Sequence, residues 1–305
     1  MQPMEPCVAT VGFFDGVHVG HQHLIRQVIE EARTSGMASA VITFDRHPRQ
    51  TVNTEYIPQT LSTPDTKLLL LSKTHIDNAI ILPFDKDMAL MTAHNFMKEI
   101  LKERLNVHKL VIGYDNRFGK NRTDDFGNYA EYGHGMGIEV IKGREYTING
   151  LNVSSSAIRR LLEAGDVETA GIFLGYPYTI SGIVVDGYKK GRLLGFPTAN
   201  IDPASVVQMI PAYGVYSASV RIEHTMAEYP AMINIGTRPT FNGHHISLET
   251  NIFNFGDNIY GKKISVAFRH RLRDEKKFNN MQELAEQLCK DRKAAEQQFE
   301  KENEL

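Results

Sequence analysis

Apolar residues in the first half of the chain fall into short continuous runs, separated by segments in which they recur every three to four positions. Cys7 to Phe13, Ser39 to Phe44, Asn78 to Phe84, Lys109 to Tyr114 and Glu139 to Lys142 have the length and make-up of buried strands. The segments near Gly20 to Thr34, Pro64 to Lys73 and Ala93 to Arg104, with a shorter one around Tyr129, read as helices. Thr63 followed by Pro64 marks a helix start, because a capping hydroxyl precedes a proline whose missing N–H costs nothing in the first turn. Strand and helix alternating in this way predict an α/β unit, a doubly wound, Rossmann-like parallel sheet with helices on both faces.

Another helix opens at Ser154-Ser155-Ser156, and after it the pattern changes. From Tyr178 onward, TISGIVVDG, FPTANI, GVYSASVRIE, AMINIG, SLETNIFNF and KISVAFRHRL read as short strands separated by Gly, Pro and Asn. Repeated strands of this kind predict a small barrel or sandwich. The closing helix begins at Met281, and its leading apolar positions Met281, Leu284 and Leu288 are placed to pack on that barrel. The boundary falls near Gly175-Tyr176-Pro177, which gives domains 1–175 and 176–305.

Composition narrows the class without changing this picture. The chain has 305 residues, 42% of them apolar and 23% charged, as in a soluble globular protein with room for two cores. A formal charge of -2 argues against a dedicated nucleic-acid binder, while leaving room for local basic groups at a nucleotide site. The two cysteines, Cys7 and Cys289, stand far apart and read as free thiols of a reducing compartment. The start lacks the features of a signal peptide, and the most apolar helical segment, Lys67 to Lys73, is far too short to span a bilayer. The expectation is a cytoplasmic protein with no membrane and no nucleic-acid partner.

The first chemistry-bearing segment follows the first strand. Phe14-Asp15-Gly16-Val17-His18-Val19-Gly20-His21 leads from strand to helix, the place where a doubly wound sheet offers free helix N–H groups to a ligand. Gly16 and Gly20 permit close backbone approach to a phosphate, and His18 and His21 stand three apart on an opening turn. Two imidazoles there can donate to phosphate oxygens as charge builds at phosphorus. A surface turn with incidental histidines is the plain alternative. Zinc held by His18, His21, His23 and His47 is another, disfavoured because no Cys or third ligand has the usual spacing. Gly113-Tyr114-Asp115-Asn116-Arg117-Phe118-Gly119 follows another strand, and Ser154, Ser155, Ser156 and Arg159 gather hydroxyls and a guanidinium at a helix start suited to a triphosphate. Ordinary capping and a solvated helix charge are the alternatives for that last group.

These residues resemble the nucleotidyltransferase superfamily with its HxGH and SSxxIR-type motifs. With TFDRHP at Thr43 to Pro48, they look like the adenylyltransferase half of prokaryotic bifunctional riboflavin kinase/FMN adenylyltransferases, the FAD synthetase family. The resemblance implies that His18, His21, Asp115 and Arg159 bind ATP or stabilise the transferring adenylyl group, and that His47 and Pro48 approach the flavin. Asn116 departs from the aromatic that many relatives carry.

In the second half, Gly187, Gly191 and Gly195 punctuate a loop carrying Lys189, Lys190 and Arg192 that is able to fold over phosphates, or equally to form a hairpin. It matches neither a Walker A loop nor a Rossmann fingerprint, since the helix that both require is missing. Thr198 and Asn200 alternate along an extended segment, so their neutral oxygens share a side and suit Mg²⁺, which keeps waters and takes charge from ATP. A strand end with two turn-forming residues is the alternative. Glu249, in Ser247 to Asn251, is a carboxylate able to accept the proton of an attacking hydroxyl. Together with YGVY, NIGTRPTF and LRDEKKF, these segments resemble the riboflavin kinase family. That implies a six-stranded Greek-key β-barrel with a C-terminal helix, Thr198 and Asn200 at Mg²⁺, Glu249 as base and Arg273 near the flavin. Asn251 and Asn254 stand where many relatives carry His and Asp.

The two resemblances fit as a pair, because the product of one is the substrate of the other. The expected reactions are riboflavin plus ATP to FMN, then FMN plus ATP to FAD and pyrophosphate, with Mg²⁺ at both sites. Three alternatives stay open: a chain with one active half and one scaffold half, a flavin-binding regulator without turnover, and a nucleotidyltransferase for another acceptor.

Overall fold

In the computed structural model, residues 5–52, 59–114, 116–187, 191, 194–240 and 243–303 are described, with backbone alone at 49, 52, 121, 238–240, 243, 244 and 301–303. Contacts divide the chain into two compact units, Met1–Gln59 with Thr63–Ser154, and Thr60–Ser62 with Ser155–Leu305.

The first unit is built on β1 (Cys7–Val11), β2 (Ala38–Phe44), β3 (Asn78–Leu82), β4 (Val107–Ile112) and β5 (Glu139–Lys142). They form a parallel sheet in the order β3-β2-β1-β4-β5. Side chains alternate across it, as strand geometry requires. Cys7, Ala9, Val11, Ala40, Ile42, Leu110 and Ile112 enter one core, and Val8, Val41 and Val111 the other. The helices are α1 (Val19–Ser35), the short α2 (Pro48–Val52), α3 (Pro64–Ser72), the short α4 (Lys86–Leu90), α5 (Ala93–Asn95, running on as a wider π-wound turn through Arg104) and α6 (Phe126–Met136). Leu24, Ile25 and Val28 of α1 and Leu71 of α3 cover one face, while Phe96, Met97 and Leu101 cover the other. The α3 start is the one expected from Thr63-Pro64: the Thr63 hydroxyl accepts from Thr66 N–H at 3.1 Å. The small helices α2 and α4, and a hairpin of β6 (Thr147–Ile148) and β7 (Leu151–Asn152), carry too few apolar positions to be read beforehand.

The second unit begins with α7 (Ser155–Ala164) and α8 (Val167–Leu174). It continues as β8 (Thr179–Val185), β9 (Ala199–Ile201), β10 (Gly214–Ile222), β11 (Glu228–Thr240), β12 (Gly243–Ile252) and β13 (Lys263–Arg273), and ends with α9 (Met281–Asn303). The strands close an antiparallel barrel in the order β10-β11-β12-β9-β8-β13. The return of β13 to lie beside β10, the first of the β10-β11-β12 meander, is a Greek key. Closure leaves no sheet edge. Tyr178, Tyr216 and Phe268 fill the interior, and the two phenols satisfy themselves on Met209 O (2.7 Å) and Ala212 O (2.6 Å).

One packing expectation is corrected. Met281 is 46% exposed, and the apolar side chains of α9 that meet the barrel are Leu288 and Ala295, against Phe196, Met232 and Phe253. The first turn of α9 is instead held by polar bonds, Glu283 accepting from Asn279 and Asn280. Among the described residues, no helix is long and apolar enough to cross a membrane.

Candidate active sites

In the first unit the strand order reverses direction of progress at β1 and β4, the switch point at which open α/β sheets bind ligands beyond their strand ends. The turn that leaves β1 there is strained. Phe14 (φ 54°), Gly16 (φ 75°) and Val17 (φ 39°) all take left-handed backbone angles, and a β-branched residue does so only when its surroundings impose it. The Val17 carbonyl accepts from Gln22 Nε2 at 3.0 Å, and the Val17 N–H donates to Phe14 O at 3.1 Å. The turn delivers His18 to the N-cap of α1, where its Nδ1 accepts the His21 N–H at 3.2 Å. In the neutral ring this puts the His18 proton on Nε2.

The rings of His18 and His21 stack with centroids 3.6 Å apart and planes 17° from parallel, and Phe14 closes edge-on against His21 at 5.0 Å. Burial first, then the neighbouring His18, holds the His21 pKa well below its ordinary value, so the His21 ring is built to be uncharged. His21 Nδ1 is buried without a hydrogen-bond partner among the described residues. Gly20 suits this crowded place, since a Cβ there would stand 3.2 Å from both His18 Nδ1 and the Val153 carbonyl. The His47 ring lies edge-on to Phe13 at 4.9 Å, and Pro48 opens α2. Asp15 and Gly16 are buried in the turn.

A cavity of about 410 Å³ lies at the ends of β4 and β5, lined by Gly113, Tyr114, Asn116, Arg117, Asp125 and Lys142 among others. Asn116 donates to the Val11 carbonyl and so ties this loop to the end of β1. Asp115 lies outside the described residues. Ser154 precedes α7, and Ser155, Ser156 and Arg159 lie on it; by contacts that helix belongs to the second unit. No three His, Cys, Asp or Glu side chains gather as a metal site among the described residues.

Sequence reasoning passed over Lys67. It reads as a surface charge at the start of α3, yet it is 5% exposed. Its ammonium donates to Phe44 O (2.9 Å), Thr43 Oγ1 (3.1 Å) and Phe13 O (3.2 Å), and it stands 4.4 Å from the Phe13 ring centroid.

In the second unit the barrel register assembles the other site. Asn200 of β9 pairs with Glu249 of β12, which pairs in turn with Asn234 of β11. Directly paired residues share a sheet face with Cβ atoms about 5 Å apart, so an amide, a carboxylate and an amide form one row. Asn234 lies within the NIGTRPTF segment but carried no role in the sequence reading, because only the pairing sets it beside Glu249. Asn200 is buried, and a Cβ at Gly187 would collide with its side-chain amide, which explains glycine there. Gly191 accepts from Leu194 N–H (3.0 Å) and Phe196 N–H (2.8 Å), and Gly195 takes φ 80°. Lys189, Lys190 and Arg192 lie outside the described residues.

Thr198, Ala199 and Thr250 line a cavity of about 620 Å³ with Val184, Phe255 and Tyr260. Thr250 Oγ1 and Asn251 Oδ1, both buried, have no partner among the described residues, while Asn251 Nδ2 donates to Pro197 O at 2.6 Å. Arg273 is committed elsewhere in this structure: its guanidinium grips the buried carboxylate of Asp291 on α9 at 2.8–3.0 Å.

A doubly wound unit with an imidazole pair at its switch point, joined to a closed barrel whose sheet sets one carboxylate between two amides, fits a two-unit nucleotide-handling enzyme. The FAD synthetase family model matches residues 1–157 and the riboflavin kinase model residues 174–299. A bifunctional riboflavin kinase/FMN adenylyltransferase of Escherichia coli (strain K12) is 35% identical over 97% of this chain and 94% of its own. One of Haemophilus influenzae is 36% identical over 97% and 95%. The crystal structure of a macrolide-efflux protein from Streptococcus pneumoniae shares the fold with a TM-score of 0.83, at 30% identity over 97% of this chain and 95% of that one. The chain belongs to the bifunctional riboflavin kinase/FMN adenylyltransferase family.

Proposed function

We propose that the chain runs both reactions of its family in sequence, with the barrel unit phosphorylating riboflavin and the first unit transferring AMP from ATP to FMN. Two observations carry this reading: the stacked His18–His21 pair at the switch point, with His21 held uncharged and its Nδ1 without a partner among the described residues, and Glu249 flanked in register by Asn200 and Asn234.

For adenylyl transfer, the FMN phosphate attacks the α-phosphorus of ATP and pyrophosphate leaves. The two imidazoles donate N–H bonds to the oxygens on which charge accumulates, and no covalent enzyme intermediate is needed. Asp115 and Ser154 belong to the ATP site, and His47 and Pro48 border the flavin. For riboflavin phosphorylation, Glu249 takes the proton of the 5′-hydroxyl as it attacks the γ-phosphorus of ATP, and ADP leaves as the bond between the γ-phosphorus and the bridging oxygen breaks. Gly187, Lys189, Arg192 and Gly195 cover the phosphates, the Thr198–Thr250 cavity receives ATP, and Arg273 stands near the flavin.

The donors around Thr198 fit Mg²⁺. Thr198 and the buried Thr250 hydroxyl, which has no partner among the described residues, line one cavity, and neutral oxygens of this kind suit a hard cation that retains waters and takes its negative ligands from ATP. When bound, the ion neutralises charge on the phosphates being transferred. Thr198 and Asn200 would hold it, and the cytoplasm supplies the ATP and the reducing setting.

The test supplies riboflavin, ATP and Mg²⁺ and resolves riboflavin, FMN and FAD by chromatography over time. FMN should rise first and FAD follow. Glu249→Gln should slow riboflavin phosphorylation about a hundredfold or more and still convert supplied FMN to FAD. His21→Ala should accumulate FMN, with adenylylation reduced on the order of a hundredfold. Parental FMN formation by Glu249→Gln would remove it as the base. A parent protein that makes only one product would leave one unit as scaffold.

A further inference from the structure

We propose that Lys67 is a positioning residue for adenylyl transfer, its buried ammonium bracing the strained turn that presents His18 and His21; this rests on the adenylyltransferase reading of the first unit.

Parallel strands are held together only as far as their ladder runs. The β1–β2 ladder ends at Val11 paired with Ile42, extended by one bond from Gly12 N–H to Ile42 O at 3.0 Å. Beyond it the two chains part, and β1 must enter three left-handed conformations within four residues, at Phe14, Gly16 and Val17. Backbone in such regions costs about 1–3 kcal/mol per residue and persists only where surrounding contacts over-determine it.

Lys67 supplies those contacts from α3. Its three N–H bonds reach Phe13 O, one residue before the strained turn, and Thr43 Oγ1 and Phe44 O at the end of β2. Thr43 Oγ1 itself donates to Phe13 O at 3.0 Å, so the four groups close a polar knot across the two strand ends. All three ammonium donors are used within the protein, and the group is buried, so it acts through the turn rather than on a substrate. The same cation lies against the Phe13 ring, which also meets the His47 ring edge-on.

The charges facing this ammonium come from two segments, the turn after β1 and the stretch between β2 and α2. Asp15 in the turn and Asp45 after β2 favour the protonated form, Asp45 being itself paired with Arg46 at 3.2 Å, and His47 stands on the far side of Phe13. Burial outweighs both carboxylates and pulls the Lys67 pKa down to about 8. The knot therefore loses a proton just above neutrality, where an exposed lysine would keep it.

The test measures FMN adenylylation and riboflavin phosphorylation in the full-length protein between pH 6.5 and 9.5. Parent FAD formation from FMN reads the proposed function by itself; the ratios of variant to parent read Lys67. Lys67→Met should lower kcat for adenylylation by about tenfold to a hundredfold, the cost of misplacing catalytic groups by a fraction of an ångström to an ångström. The KM values for ATP and FMN should move less than kcat, and riboflavin phosphorylation should stay at the parent rate. In the parent, adenylylation should decline with a midpoint near pH 8 that the kinase reaction lacks. Lys67→Arg, which stays charged throughout, should remove that decline even if its overall rate is lower, and this arm stands should Lys67→Met not fold. A folded Lys67→Met variant with parental kcat, or a Lys67→Arg variant titrating as the parent does, would overturn the proposal.

Discussion

His21 shows how a residue's surroundings choose its chemistry. Its ring is sandwiched between Phe14 and the parallel ring of His18, and both burial and the second imidazole oppose a proton on it. A neutral imidazole keeps one N–H donor and one acceptor, the form needed by a group that donates as charge develops and then lets go. The same depression has a consequence for stability. Below the unfolded-chain value of 6.5 the unfolded chain takes up a proton that the folded ring refuses, so stability present above that pH is lost as the pH falls. The loss attributable to this one group is at most about 1.4 kcal/mol per pH unit. Urea unfolding between pH 7 and 5 should show it, and His21→Gln should flatten the acid slope; an unchanged slope in the variant would mean that His21 is not the group responsible. At this scale, residues in patterns whose spacing suggests chemistry were legible as candidates: His18, His21, Gly16, Thr198, Asn200 and Glu249 stand in local patterns. Lys67 was not, because a lysine at a helix start looks solvated until the fold buries it, and Asn234 becomes visible only through a pairing with Glu249, 15 positions further along the chain.

Elements are positioned by a few polar anchors as much as by apolar burial. The closing helix α9 meets the barrel through Leu288 and Ala295, and its middle is fixed by Asp291, which is 3% exposed and takes three N–H bonds from Arg273 at the end of β13. Gln287 adds a fourth bond at 2.8 Å, and Arg292 reaches Asn254 at 3.1 Å while lying over Phe253. Removing one partner of a pair like this leaves a partly buried charge without compensation, which costs more than the intact pair contributes. Asp291→Ala should therefore destabilise the second unit by roughly 2–4 kcal/mol, a value set below the fully buried case because Arg273 keeps some exposure to solvent screening. Thermal unfolding checks this; a change within about 0.5 kcal/mol would show that Arg273 finds equivalent partners among Asp274 O and water. The helix itself could be read from its apolar spacing, but its contact face could not. Met281 continues the apolar stripe and still lies in solvent, because a periodic pattern says which residues share a side and not how far along the helix its support extends.

For the whole molecule, the alternation of strands and helices was sufficient to foresee a parallel sheet, and the shift to short strands a barrel, since these patterns follow from burying one or both faces. Strand order, closure and the grouping of α7 and α8 depend on distant contacts. The family models leave residues 158–173 between them, yet contacts group this stretch with the barrel. Glu168 on α8 accepts from His270 Nδ1 at 3.3 Å and from the Arg271 N–H at 3.2 Å. The Ala164 carbonyl at the end of α7 accepts from Arg271 Nη1 at 2.6 Å, and Leu162 O from the Ala212 N–H at 2.9 Å. We therefore propose that the barrel unit, as a folding unit, begins at Ser155 rather than after Gly175. Two fragments decide the matter, residues 155–305 and 176–305. Both retain Thr198, Asn200, Asn234 and Glu249, so both carry the kinase site. The shorter fragment gives up these four bonds, one of them to a guanidinium, at about 1 kcal/mol for a neutral bond and more for a charged one. A loss on the order of 4–5 kcal/mol in a domain of this size corresponds to melting roughly 10 °C or more lower. Residues 155–305 should accordingly fold and phosphorylate riboflavin at temperatures where 176–305 has already unfolded. Equal melting temperatures would place the boundary after Gly175 and make α7 and α8 a connector rather than part of the barrel unit.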